Sequence, residues 1–319
     1  MKPSLCSRAA AVILALVTAS QLAAAPASEG LFAPGIKRVL FLGDSITYSG
    51  RYVAYVSAYQ RARFPACDVE ILNLGLSSET VSGLSEPGHA GGKFPRPDLH
   101  ERLTRVLDKT RPDLVFACYG MNDGIYEPFD EQRFKAFRDG ILRLRTAVQR
   151  AGAKIIHVTP PVFDELKGGH AGYTAVLDRY SDWLVSQRTN GWDVVDLHFP
   201  MQDYLTKQRA QDAMFALSRD GIHPDERGHW LMAQSILRHL GAREAATVSS
   251  GEALLETFPN GDETLRAALS DMARWRDAWL TATGHKRPGV KPGEPIEINP
   301  LTGKAHFVTN AVGQSTKKP

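Results

Sequence analysis

Five short apolar runs, each ending abruptly in a glycine, a proline or a polar residue, constrain this chain more than any other feature. They are Val39-Leu40-Phe41-Leu42, the segment 69–74 (VEILNL), 113–119 (DLVFACY), 154–159 (KIIHVT) and 192–197 (WDVVDL). Runs this short and this uniformly apolar suit strands buried on both faces of a parallel sheet. Between them lie segments of helical length with apolar residues three or four apart. In 130–151, Phe134, Phe137, Ile141, Leu144 and Val148 share one face. Comparable helices are expected at 51–64, 98–109, 173–187, 201–209 and 226–240. Strict strand–helix alternation implies right-handed βαβ crossovers. The expected fold is therefore α/β, a three-layer α/β/α sandwich around a five-stranded parallel sheet.

Past Gly241 the alternation stops. Leu265, Leu269, Met272, Trp275 and Trp279 mark one more amphipathic helix over 263–281, and the Pro/Gly-rich stretch after Gly284 reads as a frayed end. A dimerisation or substrate-covering role is the other reading of that helix. The first 27 residues are different again. Lys2 and Arg8 precede the apolar run Ala9 to Val17, and Ala25-Pro26-Ala27 offers a small-residue cleavage site. This is the layout of a secretory signal peptide. The run falls short of the roughly 20 apolar residues that span a bilayer, so no stable membrane anchor is expected. The domain organisation expected is a signal at 1–27, a catalytic domain at 28–243 and a C-terminal helical extension with a tail at 244–319. The location expected is secreted or periplasmic.

Charge narrows the class of partner. Removing residues 1–27 takes two cations and no acid from a formal charge of +3, leaving +1. A near-neutral chain lacks the electrostatic footprint of a nucleic-acid binder. No HExxH-like spacing and no Cys/His cluster occurs, so neither a metal nor a cofactor is expected. The two cysteines beyond the leader, Cys67 and Cys118, flank strand-like runs and read as buried thiols.

In an open parallel sheet, ligands bind at the carboxyl ends of the strands. Gly43-Asp44-Ser45 ends the first run, Asn73-Leu74-Gly75 the second and Gly120-Met121-Asn122-Asp123 the third; Asp220 and His223 follow the fifth. These residue types supply what ester hydrolysis requires. A serine hydroxyl, Ser45, becomes nucleophilic when an imidazole, His223, takes its proton. Asp220, three residues upstream, can meet the imidazole Nδ1 and compensate its charge. The backbone N–H groups of Ser45 and Gly75 and the side-chain amide of Asn122 can serve the oxyanion of the tetrahedral intermediate.

Gly43-Asp44-Ser45-Ile46-Thr47, Asn73-x-Gly75, Gly120-x-Asn122-Asp123 and Asp220-x-x-His223-Pro224 resemble, in order and spacing, the four blocks of SGNH/GDSL hydrolases. A lone Gly-Asp-Ser carries little weight, whereas four ordered blocks at strand ends carry much. The resemblance covers about residues 37–240 and implies a sheet order of 2-1-3-4-5. Strand one would then separate Cys67 from Cys118, which argues against a disulfide. The competing α/β-hydrolase elbow, Gly-x-Ser-x-Gly, is absent.

Other residues admit two readings. Ser45 alone would also serve as a helix N-cap. Asp44 and Asp123 read as supports of their turns. His89, in the Gly-rich loop 82–97, is a substrate contact or a solvated loop residue. Tyr48 and Tyr126, together with Phe129, lie near the expected mouth and could stack on sugar rings, with core packing equally open for Phe129. His157 reads as a satisfied core residue, His229 as structural and His170 as near the mouth. The loops are polar and Gly-rich (Ser77, Ser78, Glu79, Thr80, Lys93, Arg96), which favours short acyl groups such as acetyl, on a carbohydrate, over a long lipid tail. The expectation is thus a serine esterase acting through an acyl-enzyme on a small-molecule or polysaccharide ester. A lipase or thioesterase for longer chains, acyl transfer to an alcohol, and a non-catalytic carbohydrate-binding or assembly module are the alternatives.

Overall fold

The computed structural model describes residues 30–308; the expected signal segment and the last eleven residues lie outside that range. Five strands form one parallel sheet: β1 (Arg38–Gly43), β2 (Glu70–Asn73), β3 (Leu114–Cys118), β4 (Lys154–Val158) and β5 (Asp193–Val195), in the order β2-β1-β3-β4-β5. All six residues of β1 are buried, as its central place between β2 and β3 demands. The register sets Phe41 beside Asn73 and Gly43 beside Cys118, so the polar motifs that follow these strands emerge at one edge. Cys67 and Cys118 are both free thiols.

The helices that cover the sheet are α1 (Ser45–Ser49), α2 (Arg51–Arg63), α3 (Leu99–Thr110), α4 (Glu131–Arg150), α5 (Glu165–Gly168), α6 (Tyr173–Ser186), α7 (His198–Arg209) and α8 (Glu226–His239). Aspartates start several of them: Asp98, Asp130 and Asp225 each accept a first-turn amide, of His100, Arg133 and Gly228. Helices α2 and α8 pack together on one face of the sheet, and α3 packs against α4. The order 2-1-3 requires the β1–β2 and β2–β3 crossovers to lie on opposite faces.

The chain beyond α8 adds α9 (Gly251–Leu255) and α10 (Gly261–Thr283), the latter lying along α2. Among the described residues no helix is long and apolar enough to cross a membrane. Residues 284–308 are not frayed as the Pro/Gly content suggests. They return to the body and close in an antiparallel hairpin, β6 (Ile296–Ile298) with β7 (Ala305–Phe307). The Phe307 ring lies 4.1 Å from Trp275, and Arg274 sits over it at 3.7 Å. Arg38 and Arg111 donate to the carbonyls of Thr302 and Leu301 in the hairpin turn, each at 2.9 Å. Composition signalled the turns but not these side-chain anchors, which come from residues distant in sequence.

Candidate active site

The site is built around α1, a single helical turn. β1 ends at Gly43, where a Cβ would lie 2.1 Å from Thr47 Oγ1 and 2.7 Å from the Cys118 carbonyl. Only glycine lets the turn fold back so closely. The Asp44 carboxylate caps it by accepting the Ile46 N–H at 2.9 Å. Burial pushes the Asp44 carboxyl up to about 7. Ser45 is the first helical residue, half-buried, and its N–H is one of the first-turn amides without an intrahelical acceptor. The other end of the turn is held through its carbonyls. Asn73 Nδ2 donates to the Thr47 carbonyl and Arg276 Nη1 to the Tyr48 carbonyl, both at 2.6 Å.

Ser45 Oγ lies 2.9 Å from His223 Nε2, and His223 Nδ1 lies 2.7 Å from Asp220 Oδ2. A carboxylate accepts only, so Nδ1 carries the proton and Nε2 is left to accept from Ser45. Asp220 Oδ1 also accepts the backbone N–H groups of Ile222 and His223, at 3.0 and 2.8 Å. Partial burial alone would raise the Asp220 carboxyl, but the His223 ring and these two amides hold it below the usual range. The His223 and Asp220 side chains remain 49% and 52% exposed, so the pair stands at a rim open to water.

The loop carrying Asp220 is braced from α5. The Asp164 N–H donates to the Gly221 carbonyl at 2.9 Å, and the Asp164 carboxylate takes the Leu166 N–H and the Arg209 guanidinium. At Gly221, with φ of +79°, a Cβ would lie 2.4 Å from Gly168 N. The spacing Asp-x-x-His pointed to the pair, but nothing in sequence tied Asp164 to it.

Asn122 is oriented by its neighbours. Its Oδ1 accepts from Arg96 Nη1 and from the Tyr126 hydroxyl, both at 3.0 Å, so the amide nitrogen must face the other way. One N–H then reaches the Glu79 carbonyl at 3.1 Å, which leaves one to donate elsewhere. Asp123 Oδ1 accepts the Val81 and Ser82 amides at 2.9 and 2.8 Å and so ties the loop after β3 to the loop after β2. Burial raises the Asp123 carboxyl to about 6. Gly75 packs where a Cβ would lie 2.3 Å from the Tyr48 amide nitrogen. Its own N–H donates to Asn73 Oδ1 at 2.9 Å. As an oxyanion donor it therefore has to share or exchange that bond, unlike the Asn122 amide.

The three residues expected to touch substrate separate. Tyr126 joins the site through Asn122 and stacks on Tyr173 at 4.8 Å, with the exposed His170 ring 5.1 Å away. Tyr48 turns toward α10 instead. Arg276 covers its ring at 3.7 Å and Asp277 accepts its hydroxyl at 3.5 Å, so that ring face is taken. His89 belongs to the 82–97 loop beside Phe94 and Glu86, outside the Ser45–His223–Asp220 set. His157 is buried as expected but not satisfied. Neither ring nitrogen has a partner among the described residues, and burial lowers it to about 3. His229 is also lowered to about 3, first by burial, and bonds Ser49 through Nε2.

Behind Asn122 lies a network that sequence reading missed. Arg102, 1% exposed, makes a two-pronged contact with Glu79, also fully buried, at 2.6 and 2.8 Å, and the Tyr119 hydroxyl donates to the same carboxylate at 2.7 Å. This pair fixes the Glu79 carbonyl that orients Asn122. Bonds to both Glu79 oxygens offset the cost of burying the pair, while Arg102 Nη1 keeps no partner among the described residues.

Comparison with known proteins places this geometry in a family. The chain is 25% identical over 228 residues to an acetylxylan esterase of Geobacillus stearothermophilus, covering 64% of this chain and 94% of that protein. A solved catalytic mutant of Axe2, an acetylxylan esterase from the same organism, superposes with a TM-score of 0.51 at 23% identity, covering 64% of this chain and 94% of the other. BT4096, a gut microbial diltiazem-metabolizing enzyme, superposes with a TM-score of 0.52 at 22% identity over 67% of this chain; the match spans about half of that enzyme's length (49%). These superpositions establish the fold. Residues 41–231, more than half of the chain, match the GDSL-like Lipase/Acylhydrolase family, and the chain belongs to that family of carboxylic ester hydrolases.

Proposed function

We propose that the protein is an exported acetylesterase that removes short acyl groups from carbohydrate through a Ser45 acyl-enzyme. The observation that carries this reading is the unbroken chain of hydrogen bonds from Ser45 Oγ to His223 to Asp220. Ser45 Oγ attacks the acyl carbonyl while His223 Nε2 takes its proton. The oxyanion that forms is met by the Ser45 N–H and the free N–H of Asn122, with Gly75 as the third donor once released from Asn73. Collapse breaks the ester C–O bond, and the imidazolium returns its proton to the departing sugar hydroxyl. Water then attacks the acyl-enzyme, giving a proton to His223, which passes it to Ser45 Oγ as the acyl C–Oγ bond breaks and the carboxylic acid leaves.

The acetyl and carbohydrate parts of the reading draw on the acetylxylan esterase relative and on the open rim. A long acyl chain needs an apolar groove, whereas Asp220 and His223 stand half in water. Export is proposed from the sequence of residues 1–27 alone. The test is acetate release from 4-nitrophenyl acetate and from an acetylated xylo-oligosaccharide, with Ser45→Ala as control. Loss of both activities in Ser45→Ala supports the reading. Retention of either, or faster turnover of long-chain than acetyl esters by the unaltered protein, refutes it.

A further inference from the structure

Four buried nitrogen atoms without a hydrogen-bond partner among the described residues occur where the 82–98 loop meets the segment after α10. They are His89 Nε2, Arg102 Nη1, His285 Nδ1 and Arg287 Nε. Phe94 lies beside two of these residues, with the His89 ring 5.2 Å away edge-on and the Arg287 guanidinium 5.5 Å away. Beside them is a cavity of about 310 Å³ lined by Leu76, Phe94, Arg96, Glu101, Arg102 and Lys286, among others. That volume is at the lower end for small-molecule sites. Arg102 is 1% exposed, and its Nε and Nη2 are committed to Glu79 and the Leu74 carbonyl. Nη1 is the donor left over, and Arg102 is the one residue of these four that lines the cavity. An orphaned buried guanidinium nitrogen costs free energy unless a bound group accepts from it.

The lining is chemically mixed, and that decides the occupant. A free anion would meet the carboxylates of Glu101 and Asp98, which line the same space. An acyl chain would leave the donors stranded. A sugar ring has hydroxyls that both donate and accept, and C–H faces for the wall of Phe94 and Pro95. Such a ring can meet the guanidinium, carboxylate and apolar groups of this lining alike. The cavity also adjoins the reaction centre. Arg96 lines it and donates from Nη1 to Asn122 Oδ1.

We propose that this cavity is a sugar-binding subsite for a neutral pyranose of the ester's saccharide portion, bounded on one side by Lys286. It rests on the carbohydrate reading above and extends it by naming where the sugar is held. Lys286 lies beyond residue 231, where the family match ends, so this wall is supplied by the C-terminal extension.

The experiment is calorimetric titration of the full-length Ser45→Ala protein with unacetylated xylotriose, repeated with Phe94→Ala and with Lys286→Ala added. Saturable binding is expected, weakened about fivefold to tenfold by Phe94→Ala, the value of losing one aromatic contact. Lys286→Ala weakens it in the same direction, and this change at an exposed lining side chain carries the test if Phe94→Ala fails to fold. No binding to Ser45→Ala, or affinity unchanged in every folded variant, overturns the proposal. Failure of the esterase reading is seen separately, as absence of acetate release by the unaltered protein, since xylotriose carries no ester.

Discussion

Replacing Arg276 by methionine tests whether the C-terminal helix governs the turn that carries Ser45. Arg276 is buried, donates to the Tyr48 carbonyl at 2.6 Å and covers the Tyr48 ring at 3.7 Å. A hydrogen bond from a charged donor is worth about 1.5–3 kcal/mol, and a partly desolvated cation–π contact about 1 kcal/mol. Methionine keeps most of the packing and loses both, so a stability loss of about 2–4 kcal/mol is expected. For a domain of this size that is a fall in Tm of roughly 3–7 °C. The larger effect is on position. Ser45 is four residues before Ser49 in a one-turn helix, and a displacement of an ångström at a nucleophile costs about 10²-fold. Well below the variant's Tm, kcat on 4-nitrophenyl acetate and the rate of fluorophosphonate labelling should fall together by about 10–100-fold. Arg276→Lys should recover part of the loss, because an ammonium can still reach the carbonyl. Full kcat and labelling rate in a variant that melts several degrees lower would refute the argument, since α10 would then stabilise the fold without positioning Ser45.

Asp220→Asn keeps an acceptor for the two backbone amides but removes the charge that compensates the imidazolium; kcat should drop by about 10³-fold with the melting curve nearly unchanged. Asn122→Ala deletes the donor that Arg96 and Tyr126 orient, and kcat should fall by about 10²-fold with KM little altered, as steady-state kinetics would show. Asp44→Asn addresses pH. The folded-state value of about 7 lies above the ordinary 3.8, so folding takes up a proton between them, and the stability so gained is complete below about pH 4 and lost as pH rises to 7. Thermal melts should therefore decline from pH 4 to 7 more steeply in the unaltered protein than in Asp44→Asn; equal slopes would show that burial does not perturb this group.

Much of the fold was legible because each strand is a short apolar run with a hard stop, and each long helix has one apolar face. The candidate site was legible for a related reason: Ser45, Gly75 and Asn122 sit at those stops, within two to four residues of a strand end. What escaped was held by contacts between distant segments. Asp164 braces the Gly221 turn across 57 positions of sequence, Arg102 reaches Glu79 and Leu74 from α3, and Arg276 reaches Tyr48 across 228. None of these has a local pattern. Tyr48 illustrates the limit best. Its place three residues after Ser45 suggested a surface for substrate, and only the docking of α10 shows that its ring is already occupied. The hairpin of residues 296–307 was hidden by composition, since proline and glycine mark turns equally in ordered and frayed segments.

The 228-residue span between Arg276 and the Tyr48 carbonyl also has a meaning in time. A chain made from its amino end forms β1 and α1 early, yet the clamp on α1 arrives only when α10 has been synthesised and has laid itself along α2. Closing so long a loop is entropically costly and comes late in folding. Until then the turn bearing Ser45 has a loose end, and a chain that stops short of α10 lacks the clamp on it.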